Sequence, residues 1–221
     1  MTTAIIGVGN IGSTVARHLV GGGESVVLAA RDESRAKVLA KELGPLARAA
    51  SVEDAIAGAD TVILALWLDQ MRELISQQAA RLADKVVVDP SNPIAFDEKG
   101  QITRTLPDDQ SAGSVVAASL PSGAHYVKAF GTLSADTLAS VAHREPKRAV
   151  LFYAAADDDA ATTIERLIRA SGFDPLKVGG VADAGRIEAP GGDLHQFALN
   201  NGEPVDLDQA QAAVPPSRPT S

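Results

Sequence analysis

The chain contains no cysteine, which removes disulfides, thiolate metal centres and thiol nucleophiles together. Histidine is scarce, and its four scattered copies lack the spacing of a metal-binding helix. No metal site is expected. No apolar run approaches the ~20 residues of a membrane span, and the first strand pattern starts almost at Met1, leaving no room for a signal peptide. A soluble cytoplasmic protein is the expectation. Basic residues are outnumbered, 20 against 28 acidic, for a net charge of −8. That balance offers no nucleic-acid or anionic-membrane surface, although a local basic cluster for phosphates stays compatible with it. What remains is 221 residues, 45% of them hydrophobic. This suits one compact α/β domain, alone or with a small appendage.

The most informative stretch lies at the start. An apolar strand (Ala4, Ile5, Ile6) runs into Gly7, Gly9 and Gly12, and a helical stripe follows (Ile11, Val15, Leu19, Val20). A glycine break then leads to a second apolar strand (Val26, Val27, Leu28). Strand, G-x-G-x-x-G, helix and strand in that order form the mononucleotide-binding half of a Rossmann fold. Gly7 permits the tight turn, Gly9 leaves room for a pyrophosphate against bare backbone, and Gly12 lets helix and strand pack closely. The first helical turn then points unpaired N–H groups and a positive dipole end at that pyrophosphate.

The end of the second strand selects the dinucleotide. An NAD site usually places an acid there to accept from the ribose. This chain reads Ala29, Ala30, Arg31, Asp32, Glu33, Ser34, Arg35. Arg31 takes the position facing the ribose and Arg35 lies one helical turn further on, a pair suited to a 2′-phosphate and hence to NADP. Asp32 is either a substitute ribose ligand or, from its place before Ser34, an N-cap.

Strands and helices then alternate. Residues 32–43 read as a helix, 46–50 as a strand, and Ser51 with Asp54 opens a short helix. Residues 61–66 read as a strand buried on both faces, Met71, Leu74, Ile75 and Leu82 as a helical stripe, and Val86, Val87, Val88 as a fifth strand. The pattern predicts a doubly wound, mainly parallel sheet with ligands beyond the carboxyl ends of its strands. The loop after the fourth strand carries Leu66 and Trp67. Trp67 either flanks the cofactor or a planar substrate, or sits at the edge of the core. The loop after the fifth carries Asp89, Pro90, Ser91, Asn92 and Pro93, where two prolines fix short polar side chains.

Residues 94–106 read as an irregular excursion or hairpin turning near Gly100, 111–118 as a helix, and 125–130 as a sixth strand. Further on come a strand over 148–156, a helix opened by Asp157, Asp158 and Asp159, and a short strand at 176–178. The acid triplet suits a helix start better than a metal site. Near the carboxyl end, Asn201 and Gly202 between short apolar runs signal a β-hairpin, followed by a short helix capped by Asp206 or Asp208. The division expected is therefore residues 1–188 as the nucleotide-binding domain, 189–214 as a hairpin-and-helix arm that packs on a partner subunit or covers the cleft, and 215–221 as a loose tail.

These motifs resemble a known family, the NADPH-dependent reductases of the deazaflavin coenzyme F-420. The same fold forms the cytoplasmic NADPH–flavin domain of the STEAP metalloreductases. The resemblance rests on G-V-G-N-I-G at Gly7 to Gly12, A-R at Ala30 and Arg31, V-V-D-P-S-N-P ending at Pro93, V-K-A-F-G-T-L-S-A-D-T-L starting at Val127, and D-A-G ending at Gly185. It implies NADP(H) held by Gly7, Gly9, Asn10, Ile11 and Gly12, with Ala30, Arg31 and Arg35 at the adenosine end and Leu66, Trp67, Ser91, Asn92 and Ala129 along the cleft. A second planar ring, of F-420 or of FMN or FAD, would face Pro93, Phe130, Gly131 and Thr132. Hydride passes directly between such rings, so neither a nucleophile nor a metal is required. A homodimer is the implied assembly. Beyond D-A-G this chain departs from the family, running through Pro190, Gly191 and Gly192 where the family continues into a helix.

Two side chains are candidate proton donors. Lys128 either reaches the pocket or snorkels from it, and His195 is either a donor or structural. Two other functions fit the motifs: reduction of a small carbonyl or imine, and a non-catalytic NADP-binding sensor. The first usually needs a long helical C-terminal domain, which this chain is too short to carry.

Overall fold

The computed structural model describes residues 1–214, so the expected tail at 215–221 lies outside the described residues. In chain order the first half comprises β1 (Thr3–Ile6), α1 (Asn10–Gly21), β2 (Val26–Ala29), α2 (Glu33–Leu43), β3 (Ala47–Ala49), α3 (Val52–Ala57), β4 (Thr61–Leu64), α4 (Leu68–Leu82) and β5 (Val86–Asp89). A separate hairpin, β6 (Ile94–Phe96) and β7 (Ile102–Arg104), precedes α5 (Ala112–Ser119), β8 (His125–Lys128) and α6 (Ala135–Ser140). The chain then forms β9 (Val150–Ala155), α7 (Asp158–Ala170), β10 (Asp174–Gly179), a 3-10 segment (Val181–Ile187), α8 (Gln196–Asn200) and α9 (Leu207–Ala213).

Eight strands form one sheet in the order β3-β2-β1-β4-β5-β8-β9-β10. The pairs from β3 to β8 are parallel. β9 runs antiparallel to β8, and β10 is parallel to β9. This is the expected doubly wound architecture with a reversed two-strand extension on one side. The period-two alternation of a strand sorts its apolar residues between two cores. Ile5, Leu28, Ile63 and Val88 face Leu19, Ile164, Leu167 and Phe173. Ala4, Ile6, Val62 and Leu64 face Ile56, Met71, Ile75 and Val116. Helices on both faces explain why β1, β2 and β4 read as unbroken apolar runs.

The capping residues read from sequence take their places. Asp32 accepts from Ser34 N, Ser51 from Asp54 N, and Asp157 from Ala160 N. The expected turn near Gly100 joins the β6–β7 hairpin.

The C-terminal β-hairpin is not formed, and this corrects the expectation. The stretch expected as its strands contains helix α8, and a further helix, α9, follows as expected, capped by Asp206. The Asn-Gly signal has another use here. Asn201 sits in the left-handed region (φ 51°) as the C-cap of α8, Gly202 follows at φ +92°, and the Gly202 N–H returns to the Gln196 carbonyl at 3.0 Å. Helix C-caps and hairpin turns both demand positive φ, so one dipeptide serves either. The segment packs on its own chain. Leu194, Val205 and Ala210 form a third apolar cluster with Val150, Phe152 and Val178, and Val150 N donates to the Val205 carbonyl at 2.9 Å.

One close approach fixes where α1 begins. A Cβ placed on Gly12 would lie 1.9 Å from the Gly7 carbonyl oxygen, and one on Gly7 would lie 2.3 Å from that of Ala65. Gly7 also holds φ +100°, which L side chains resist. Gly12→Val is therefore expected to lower unfolding free energy by ~1–3 kcal/mol or more, measured by chemical denaturation.

Candidate active site

β1 ends at the glycine loop, and the loop ends in α1. Gly9 is the α1 N-cap in extended backbone (φ −77°, ψ −163°), with no side-chain cap and no acid in the first turn. The first-turn N–H groups and the positive helix end thus have neither a capping side chain nor an acid within the turn to meet them. A Cβ on Gly9 meets nothing within 4 Å, so open space lies over this helix mouth. Asn10 is exposed and Ile11 is half-buried against the core. The loop fits a diphosphate laid against main chain.

At the end of β2, Ala30 is half-buried and Arg31 and Arg35 are exposed. Neither arginine makes a salt bridge among the described residues. Asp32 is occupied with capping. Its Oδ1 accepts from Ser34 N at 3.1 Å and Ser34 Oγ at 2.6 Å, bonds that also hold its pKa below the usual carboxylate value. The N-cap reading of Asp32 is thus the one the structure displays. An open groove of about 330 Å3 runs beside Ser13, Arg17, Ser34 and Arg35. Arg17 is held there in a two-pronged pair by Glu42, which leaves Arg35 as the unpaired cation of this groove.

Along the same sheet edge, Leu66 leans on the glycine loop, its Cδ2 3.0 Å from where a Gly7 Cβ would stand. Trp67 follows as the N-cap of α4, again with no side-chain cap, and is half-exposed. Next comes the loop after β5. Ser91 and Pro93 are buried, and the Ser91 hydroxyl has no hydrogen-bond partner. Asn92 works as a clasp: its Nδ2 donates to the Gly131 carbonyl at 3.0 Å, and its Oδ1 accepts from Ala189 N at 2.8 Å. A Cβ on Gly131 would lie 2.5 Å from the Pro90 carbonyl oxygen, so the two loops touch through main chain.

The structure therefore brings Gly7, Gly12 and Leu66 together at one end and Asn92 and Gly131 at the other. Four residues, Ala129 expected along the cofactor cleft and the other three expected at the acceptor, are deeper than a lining position. Ala129, Phe130, Gly131 and Thr132 are all buried, and Phe130 belongs to the core with no exposed surface at φ +64°. Thr132 keeps a buried hydroxyl without a partner.

Neither candidate proton donor is free. Lys128 is 2% exposed, and its ammonium meets Asp89 Oδ2 at 2.9 Å, the Ser91 carbonyl at 2.6 Å and Glu188 Oε1 at 3.1 Å. Asp89 Oδ2 also accepts from the Tyr126 hydroxyl at 2.9 Å, and its Oδ1 from Ser91 N at 2.7 Å. Glu188 caps α5 from 76 residues away, accepting from Ala112 N at 2.8 Å and, one residue further on, from Gly113 N at 2.7 Å. Burial, with Asp89 beside it, pushes the Tyr126 hydroxyl pKa well up. The sequence reading placed Asp89 in its loop without a partner, and did not single out Tyr126 or Glu188. Only the lysine inside a strand hinted that a buried counter-charge must exist.

His195 is buried as the α8 N-cap beside Phe197, ring centroids 5.4 Å apart. Burial drives its pKa down to about 4, against the opposing effect of a hydrogen bond to the Gly131 backbone. Among the described residues no group of three His, Asp or Glu side chains could hold a metal, and no helix is long and apolar enough to cross a membrane.

Residues 2–93 match the family model described as NADP oxidoreductase, coenzyme F420-dependent. The chain is 33% identical over 186 residues to metalloreductase STEAP3 of Rattus norvegicus, an alignment taking in 84% of this chain. It spans about a third of that relative, 35% of its length. Among solved structures, the hypothetical protein SMa0349 of Sinorhizobium meliloti superposes with a TM-score of 0.79 at 30% identity, over 93% of this chain and 95% of the other. A protein of Arthrobacter sp. FB24, provisionally described as an F420-dependent NADP reductase, shares the fold with a TM-score of 0.71 at 24% identity, over 82% and 86% of the two chains.

The buried His195 makes a pH prediction. The unfolded ring binds a proton near its ordinary value of 6.5 and the folded ring only near 4, so between these the unfolded state holds more protons. Stability then falls as pH drops from about 6.5 to 4 and is level above, by up to ~3 kcal/mol in total. Denaturant titrations across that range should show the slope in the wild type and a shallower one in His195→Gln, where burial of His18, which lowers that ring's pKa as well, still contributes.

Proposed function

We propose that this chain, which belongs to the coenzyme F420-dependent NADP oxidoreductase family, binds NADP(H) along the β1–β4–β5 edge. There it exchanges hydride between the nicotinamide and the flat ring of a deazaflavin or flavin. The observation that carries the cofactor half is the mouth of α1: an uncapped helix end, extended glycine backbone and free space in one place. Arg31 and Arg35 supply the charge for a 2′-phosphate, as guanidinium groups that make no salt bridge among the described residues.

Bound NADPH supplies the hydride. The chain's own work is to bind, orient and exclude water. The α1 mouth holds the diphosphate, Leu66 and Trp67 flank the cleft, and the Asn92 clasp fixes the loop after β5 against Gly131. Reduction of the acceptor consumes one hydride and one proton, and the proton comes from water, because Lys128 is fully paired and His195 stays neutral above about pH 4. Direct transfer between stacked rings needs alignment above all, and alignment is what a pre-formed cleft supplies.

Calorimetry tests the cofactor half. NADPH should bind more tightly than NADH, and Arg31→Glu should weaken NADPH by ~1–3 kcal/mol while leaving NADH little changed. Equal losses for both would count against the phosphate assignment. Gly9→Val should fold normally, since its Cβ meets open space and its φ suits any residue, yet lose dinucleotide binding. Retained affinity would contradict the close approach. NADPH oxidation offered F-420, FMN and a carbonyl panel in parallel tests the acceptor. Turnover with carbonyls alone, or binding without turnover, would replace the flat-ring reading.

A further inference from the structure

Six large apolar side chains are exposed among the described residues, and three of them, Trp67, Phe96 and Ile102, gather at one place. Trp67 and Phe96 meet edge to face, centroids 6.1 Å apart at 87°. Phe96 pairs across the β6–β7 hairpin with Ile102. The three remain 52%, 57% and 52% exposed. Such a cluster on a polar surface calls for an occupant.

The hairpin that carries two of them is held rather than loose. It stands apart from the main sheet, and a bare two-stranded hairpin is marginal in water. Arg104 anchors its base, donating to the carbonyls of Leu106 at 3.1 Å, Gln110 at 2.6 Å and Pro190 at 3.1 Å. Thr105 N donates to the Pro93 carbonyl at 2.8 Å. The hairpin thus grows directly from the loop clasped by Asn92, and at its other contact leans on Trp67, two residues past the Ala65 that backs the glycine loop.

We infer that Trp67, Phe96 and Ile102 form the outer wall of the cleft, and that the flat ring of the hydride acceptor lies against it. This rests on the cofactor site proposed above and adds the element that selects the acceptor. The area argues for a ring over a second copy of the chain. Three half-exposed side chains of this size present on the order of 300 Å2, well short of the ~800 Å2 per partner of a stable protein interface and matched to one face of a fused-ring heterocycle. Continuity argues the same way, because the wall is built from residues next to the loops after β4 and β5, where ligands of this fold bind.

Trp67 is the sole tryptophan, so its emission reports directly on ring contact. The full chain, saturated with NADP+ so that no hydride is available, is titrated with lumiflavin, and the cofactor-free chain is titrated in parallel. Saturable quenching is expected. Phe96→Ala and Ile102→Ser should each weaken lumiflavin binding by about tenfold, with NADP+ affinity and circular dichroism unchanged. Absence of quenching in both titrations would overturn the wall, as would wild-type affinity in both variants. A wild-type dimer in sedimentation that Phe96→Ala dissociates would assign the patch to a second copy and also overturn it. Failure of the wild type to bind NADP+, with lumiflavin binding intact, would overturn the cofactor assignment and leave the wall standing.

Discussion

Bare main chain in contact with bare main chain is the constraint on which the site depends. Gly7 lies against the Ala65 carbonyl and Gly12 against the Gly7 carbonyl, at separations no Cβ tolerates. Because β1, β4 and α1 meet that closely, α1 starts directly over the carboxyl edge of the sheet. Its N-terminus then has neither a side-chain cap nor a nearby acid. A helix end left this way is an electrostatic demand for an anion, built into the fold before any ligand arrives.

The other end of the sheet's carboxyl edge is fastened by charge instead. Lys128, Asp89 and Glu188 are all buried, and each finds several partners: the ammonium two carboxylates and a carbonyl, Asp89 a tyrosine and a backbone N–H, Glu188 two N–H groups of α5. Burial of charge is tolerated only with that degree of satisfaction. The network ties β5, β8, α5 and the segment after the 3-10 turn into one block beneath the loop at Ser91 and Asn92. Side chains that looked like candidates for proton chemistry are thereby part of the scaffold. That suits the proposed reaction, in which a hydride moves between two rings and the protein contributes placement.

The carboxyl-terminal segment is likewise part of the scaffold. Leu194, Val205 and Ala210 cover the β9–β10 extension, which the helices on the other face leave half-open. Gln196 reaches the loop after β8, its Oε1 accepting from Ser134 N at 2.9 Å. Residues 189–214 accordingly support the sheet extension and the loop beside Thr132, while the exposed apolar surface beside the cleft comes from the β6–β7 hairpin.

The sequence alone determined the alternating strands and helices, the glycine loop, the caps at Ser51 and Asp157, and the pair of arginines at the end of β2. All of these are local: a period of two or 3.6, a φ only glycine accepts, a short polar side chain facing the next N–H. Tertiary structure decided what depends on residues distant in sequence. It chose a helix C-cap for Asn201 and Gly202, because positive φ fits either outcome and the packing of Leu194 and Val205 on Val150 favours one. It gave Lys128 its counter-charge in Glu188, 60 positions later, turned Phe130 into the core, and set Trp67 against Phe96. A lone residue announces its chemistry, but only the folded chain supplies the partner that decides whether that chemistry is free to act.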